Sequence, residues 1–168
     1  MKTLTNFRNL IFTVIILFNA CEKPDEIIIS EDPILLNELY SISVDTLRIE
    51  ENKYFIFSFI YRDFMPTVPY REKSPLIAVI ELVDFDSIEV SNDLDISKLY
   101  VINGNKIWIS EPKKNNLPYS AYKIQAVSNN GPEWETGIYV DVVAEISNTK
   151  TLDKSLLILK QQCICRTE

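Results

Sequence analysis

Nucleophilic catalysis of the Ser-His-Asp or Cys-His kind needs an imidazole, and no histidine occurs anywhere in the 168 residues. The same absence removes every histidine-based metal site. Carboxylates are plentiful, twenty-four in all, and Asp84, Asp86, Glu89, Asp93 and Asp95 crowd into one stretch. Oxygen ligands so grouped could hold Ca²⁺, but the spacing does not match an EF-hand loop and no glycine is present to make its sharp turn. A solvated acidic edge is the simpler reading. Acid pairs for glycoside hydrolysis can be drawn from so many carboxylates that no single pair is informative. The chain is therefore expected to carry no catalytic residue, no metal ligand set and no cofactor site. Three cysteines remain, at 21, 163 and 165. Residues two apart on a strand lie about 6.5 to 7 Å apart at Cα, the long limit for a disulfide. Cys163 and Cys165 are read as two thiols, with a strained or bulged disulfide and intermolecular pairing left open.

The other residues that could do something are aromatics in turn-rich segments. The loop 62–75, RDFMPTVPYREKSP, is stiffened by proline and presents Phe64, Met65, Val68 and Tyr70 between charges. Aromatics on a stiff loop lose little entropy on binding, so these four are candidate partner contacts; alternatively Phe64 and Met65 cap the core. Tyr119 in NNLPYS and Trp134 in NNGPEWETG could stack on the apolar face of a sugar ring, with Asn129, Asn130, Glu133 and Glu135 taking its hydroxyls. The alternative is that Trp134 folds back over a sheet, and Trp108 carries the same two readings.

Residues 1–20 form a distinct unit. Lys2 and Arg8 make a basic start without an acid, and Leu10 to Phe18 is an apolar run broken only by Thr13. The run suits the core of a signal peptide and falls far short of the ~20 residues that span a bilayer. Ala20 puts a small side chain just before Cys21. Phe18, Asn19, Ala20 and Cys21 resemble the lipobox of bacterial lipoproteins, and the loose box followed by Glu22, Lys23, Asp25 and Glu26 is similar to the Bacteroidota form. The resemblance implies removal of residues 1–20, fatty acylation (palmitate-type chains) of Cys21, and residence at the cell envelope, on the outer membrane, facing either the periplasm or the surface. Each buried CH₂ would contribute roughly 0.8 kcal/mol to anchoring. The leader holds two of the seventeen basic residues and none of the acids, so its removal takes the formal charge from −7 to −9. That balance argues against nucleic acid as a partner.

Elements must position these residues. Residues 21–36 are expected as a tether, with Ile27 to Ile29 a possible edge strand, and 37–168 as one β domain. Period-two patterning places strands near 40–49, 53–61, 76–83, 121–128, 138–146 and 155–165. In 40–49 a bulge at Asp45 and Thr46 would keep one inner face. In 53–61 the row Phe55, Phe57, Phe59 and Tyr61 is expected to fill the core, and a bulge is expected near Lys160 to Gln162. Asn103-Gly104 within LYVINGNKIWIS predicts a type I′ hairpin pairing Ile102 with Asn105, Tyr100 with Ile107 and Leu99 with Trp108. No helical stripe of useful length is visible, although 91–98 could form one turn. The fold class expected is all-β, a two-layer antiparallel sandwich, immunoglobulin-like in the broad sense, with a small lipocalin-like barrel as the alternative. Strand rhythm, the Gly-Pro-x-Trp turn at 131–134 and the acid-rich start after Cys21 resemble small Bacteroidota lipoproteins with such domains, a resemblance that assigns no residue a role.

The function expected is a lipid-anchored, non-catalytic binding or structural module, contacting another envelope protein. Alternatives are a glycan-binding accessory to nutrient uptake, an inhibitor or immunity-like lipoprotein, and a lipocalin-like carrier whose cavity Phe55, Phe57 and Phe59 would line.

Overall fold

The computed structural model describes residues 27–66, 73–115 and 120–168. The elements in chain order are β1 (Ile28–Ser30), α1 (Pro33–Ile42), β2 (Leu47–Ile49), β3 (Asn52–Asp63), β4 (Leu76–Asp84), β5 (Leu94–Asn103), β6 (Lys106–Ser110), β7 (Lys113–Lys114), β8 (Lys123–Gly131), β9 (Tyr139–Asn148) and β10 (Lys154–Thr167). The strands join in one curled, open sheet ordered β1-β6-β5-β9-β10-β3-β4-β8-β7, with β2 beside β3. The all-β expectation holds. The two ends of the sheet are blunted against unwanted pairing, since β1 has three residues and β7 is two lysines.

One strand joins the two halves. β10 runs antiparallel to β9, from Lys154↔Ser147 to Cys163↔Tyr139, and its C-terminal end lies parallel to β3 from Ile164↔Ile60 to Thr167↔Asp63. A bulge interrupts its ladder between Leu159 and Gln162, where expected. Leu157 and Leu159 face the main core before the bulge, and Ile164 faces it afterwards, so the inward parity changes from odd to even. A second irregularity, between Ile96 and Lys98 in β5, does the same: Leu94 and Ile96 point inward before it, Leu99 and Val101 after it. In this way both strands keep apolar side chains on the inner face as the sheet curls.

The main core lies between the halves, with Leu99, Val101, Val142, Ala144, Ile146 and Leu157 from one side and Tyr54, Ile56, Ile60, Ala78, Ile80 and Leu82 from the other. Trp108 sits among them at 2 % exposure. Its ring lies flat against Gly131, where an added Cβ would come within 2.7 Å of it, so this close approach requires glycine.

Several expectations are corrected. Residues 33–42 form a helix, where the end of a tether and the start of a strand were expected. Asp32 caps it, its Oδ1 accepting the Ile34 N–H at 2.8 Å, and Pro33 occupies the first turn. The Tyr40–Ile42–Val44 alternation is too short to outweigh that start signal. Leu35, Leu36 and Leu39 pack the helix onto the outer side of β5, β6, β9 and β10, against Tyr100, Ile102, Ile107, Val143 and Ile158. After the helix, Val44 bridges in parallel to Leu157, and only β2 remains of the expected strand. Residues 91–98 form a single hydrogen-bonded turn at their start, the Leu94 N–H donating to the Ser91 carbonyl at 3.1 Å, and continue as β5 from Leu94. The hairpin pairs Ile102 with Ile107, Tyr100 with Ile109 and Asn103 with Lys106, placing Gly104 (φ +62°) first in the turn rather than second. A glycine in that position is the II′ preference. Among the described residues no helix is long and apolar enough to cross a membrane.

Asp141 ties the helix to the β10 bulge. Its Oδ1 accepts the Gln161 N–H and its Oδ2 the Tyr40 hydroxyl, each at 2.8 Å. Burial, then the hydrogen bond to Asp141 and its charge, push the Tyr40 phenol up to about 12. The neutral phenol therefore adds stability that is complete below its unfolded value, near 10, and is lost as pH rises through about 12. Urea unfolding of the wild type and Tyr40→Phe at about pH 9 and about pH 12 is expected to show the larger alkaline loss in the wild type. Equal losses would show that the phenol does not carry this linkage.

Candidate contact surface

The row Phe55, Phe57, Phe59 and Tyr61 does not fill the core. Tyr54, Ile56, Ser58 and Ile60 point inward instead, and Phe57 and Phe59 are 58 % and 44 % exposed. Both faces of β3 are apolar, so alternation alone could not choose between them. Register does. Phe57 stands beside Glu81 on β4, which stands beside Gln125 on β8; Phe55 aligns with Val83 and Lys123. Turning the rings inward would have carried a carboxylate, an amide and an ammonium into the core with them. The cost of burying such groups far exceeds the gain from burying another ring. This orientation also removes the expected lining of a lipocalin-like cavity.

The surface so formed has a definite chemistry. Phe85, 61 % exposed, meets Phe55 edge-on at 6.4 Å, and Phe59 stacks on Tyr61 at 4.9 Å. Ile77, Val79 and Val83 of β4 continue the apolar area, half-buried. Beside it Glu81 accepts from Lys123 Nζ at 2.9 and 3.0 Å and from Gln125 Nε2 at 2.8 Å, and Gln125 in turn accepts from Asn115 Nδ2 at 2.7 Å. At one end Arg48 faces Lys53, whose ammonium lies 4.7 Å from the centre of the Phe85 ring. Among the described residues no element packs over these rings, whereas α1 covers the matching outer side of the other half. Several adjacent exposed aromatics with a polar border are the usual mark of a contact site.

The residues singled out from the sequence are scattered. Phe64 follows the C-terminal end of β3, its ring 5.0 Å from the Arg62 guanidinium and 4.0 Å from that of Arg166. These two arginines share the parity of the inward Ile60 and Ile164 rather than that of the aromatic row. Met65 is exposed, and its N–H donates to Asp63 Oδ1 at 3.0 Å. Val68, Tyr70, Tyr119 and Cys21 lie outside the described residues. Trp108 is corrected from a possible contact to a core residue, because β6 is covered on both sides. Trp134 is half-buried against the main core, its carbonyl accepting from Arg62 Nη1 at 3.0 Å, so it folds back as the alternative reading had it. The acidic stretch is dispersed. Asp84 is buried as an organiser of its own turn, its Oδ1 accepting the Asp86 and Ile88 N–H groups at 3.0 Å each. A cleft of about 500 Å³ opens where β6 and β8 face each other, lined by Ile28, Ile109, Val127, Asn129 and Asn130, with Trp108 as its inner wall.

Sequence reasoning missed the exposed row at Phe57, Phe59 and Phe85. The signal that could have revealed it was Glu81, Lys123 and Gln125, each alternating with core residues of its own strand. No family model, no curated protein and no solved structure matches the chain.

The orientation of β3 has a direct check. Phe57→Ser and Phe59→Ser are expected to change unfolding stability by no more than about 0.5 kcal/mol, as for exposed positions. Ile60→Ala, at a fully enclosed position, is expected to cost about 2 to 5 kcal/mol. Urea melts that reversed this order would place the phenyl rings inside.

Proposed function

We propose that this chain is a lipid-anchored binding module of the bacterial cell envelope, held at the outer membrane through Cys21, that contacts another protein through the outer face of β3 and β4. One observation carries the contact reading: Phe57, Phe59 and Phe85 remain exposed in a fold that covers the opposite outer face with a helix. Leaving three rings about half exposed forgoes roughly 1 kcal/mol apiece, a loss that a partner's cover would recover. Arg48 and Lys53 at one end of the row suit a partner that brings apolar side chains and a carboxylate. Glycan capture has weaker support, since Trp108 is enclosed and Trp134 is packed against the core. The filled core favours a two-layer sandwich, immunoglobulin-like in the broad sense, as the description of the curled sheet. The anchor reading rests on the resemblance of residues 18–21 to a lipobox.

Two measurements test the two halves of the proposal. Cells fed an alkyne analogue of palmitate are expected to label the wild-type chain and to leave Cys21→Ser unlabelled; equal labelling of both ends the anchor reading. For the contact, a benzophenone amino acid at position 57 is expected to crosslink one envelope protein. The same group at Leu152, an apolar side chain 82 % exposed outside this face, is expected not to. The captured protein, purified, should bind the wild type and lose at least about tenfold in affinity toward Phe57→Ser/Phe59→Ser, a hot-spot-sized effect. Equal capture at both positions, or unchanged affinity, would overturn the contact reading.

A further inference from the structure

The β10 bulge has a chemical consequence at its far side. Beyond it, Ile164 points into the core and is fully enclosed, which turns Cys163 and Cys165 together onto the outer face. Cys163 is exposed, Cys165 is half-buried, and neither is in a disulfide. The Cys165 thiol leans back along the strand, its Sγ 3.8 Å from the Cys163 carbonyl oxygen. Tyr139 stands opposite Cys163 on β9, and Tyr61 stands opposite Cys165 on β3, stacked on Phe59. The two thiols thus share one open, ring-bordered patch on a rigid strand, anchored by Ile164 between them.

Spacing decides what such a pair can do. Strand geometry sets the two Cα atoms about 6.5 to 7 Å apart, at or beyond the upper end of disulfide spans. An ion bridges the gap more easily than a bond: two metal–sulfur arms of about 2.3 Å in line separate the sulfurs by roughly 4.6 Å. Among the described residues no group of three or more His, Cys, Asp or Glu side chains is placed to hold a metal. The pair therefore lacks the four ligands zinc takes and the oxygen shell calcium takes. Two thiolates alone suit a soft ion content with two ligands.

We propose that Cys163 and Cys165 form a two-thiolate clamp for one soft monovalent cation, of the copper(I) or silver(I) class. Binding replaces the two S–H bonds with two metal–sulfur bonds and releases two protons to solvent; nothing is oxidised or reduced. The buried Ile164 holds the arms in place before the ion arrives, so the second sulfur binds as an intramolecular ligand. Linkage of this kind raises affinity by about 10² to 10⁴ over one thiol.

The test uses the full chain carrying Cys21→Ser, reduced and without oxygen, so that only this pair can bind. Titration with silver(I) against a chromophoric competitor is expected to show one ion per chain, on a monomer by sedimentation. Cys163→Ser and Cys165→Ser should each weaken binding at least about 100-fold while leaving the thermal melt unchanged. Zinc under the same conditions should not compete. Half an ion per chain on a dimer, unchanged affinity in either serine variant, or zinc competing on equal terms would overturn the clamp. So would mild oxidation that closes the pair within one chain, seen as a loss of two hydrogens by mass.

Discussion

The fold depends on a strand that must serve both halves of a curled sheet. β10 enters as the antiparallel neighbour of β9 and leaves as the parallel neighbour of β3. A regular strand doing this would present the wrong side chains to the core along half its length, because parity is fixed by the pleat. Lys160 and Gln161 solve the problem by standing together opposite the single Asp141, one residue more than the partner strand, and Gln161 takes a left-handed φ of +58° to do so. The Asp141 carboxylate stabilises that conformation by accepting the Gln161 N–H, and its second oxygen holds the Tyr40 hydroxyl of the helix. One side chain thus joins the bulge to the helix that covers β5, β6 and β9.

The same parity logic produces the asymmetry between the two outer faces. On one half the outward residues of β5, β6 and β9 are Tyr100, Ile102, Ile107 and Val143, and α1 covers them. On the other half register locks Phe55, Phe57 and Phe59 to the side of Glu81, Lys123 and Gln125, where no described element covers them. The charged residues could stay wet only if the rings stayed wet too. The exposed aromatic face follows from how the core keeps its charges out, whereas Cys163 and Cys165 face outward because the β10 bulge turns Ile164 inward between them.

Much of the strand placement along the chain was legible. β3, β4, β8, β9 and β10 fall where alternation places them, and the β10 bulge was visible as a segment too long for one regular strand. The capped start at Asp32-Pro33 was also there to be read, yet the charges around it read as tether. What could not be read was which face of a two-sided apolar strand points inward. KYFIFSFIY is apolar on both parities, and only its pairing with LIAVIELV and KIQAVS assigns a face. Trp108 posed the same problem, since both faces of its hairpin are apolar and both are covered.

The sequence by itself determined the chemistry that is absent and the class of fold. The lack of histidine excludes imidazole catalysis, and period-two patterning with few helix signals excludes most folds other than β. It also set Phe18, Asn19, Ala20 and Cys21 in a pattern that resembles a lipobox. Tertiary structure alone decided that β10 pairs parallel with β3, that the phenylalanine row faces outward, and that Cys163 and Cys165 share one surface. Each of these depends on register between strands distant in sequence, such as Phe57 with Glu81 and Ile60 with Ile164. Local alternation states only that two faces differ. Which one is buried follows from what the neighbouring strands bring to the same side, and burying charge costs more than exposing a ring.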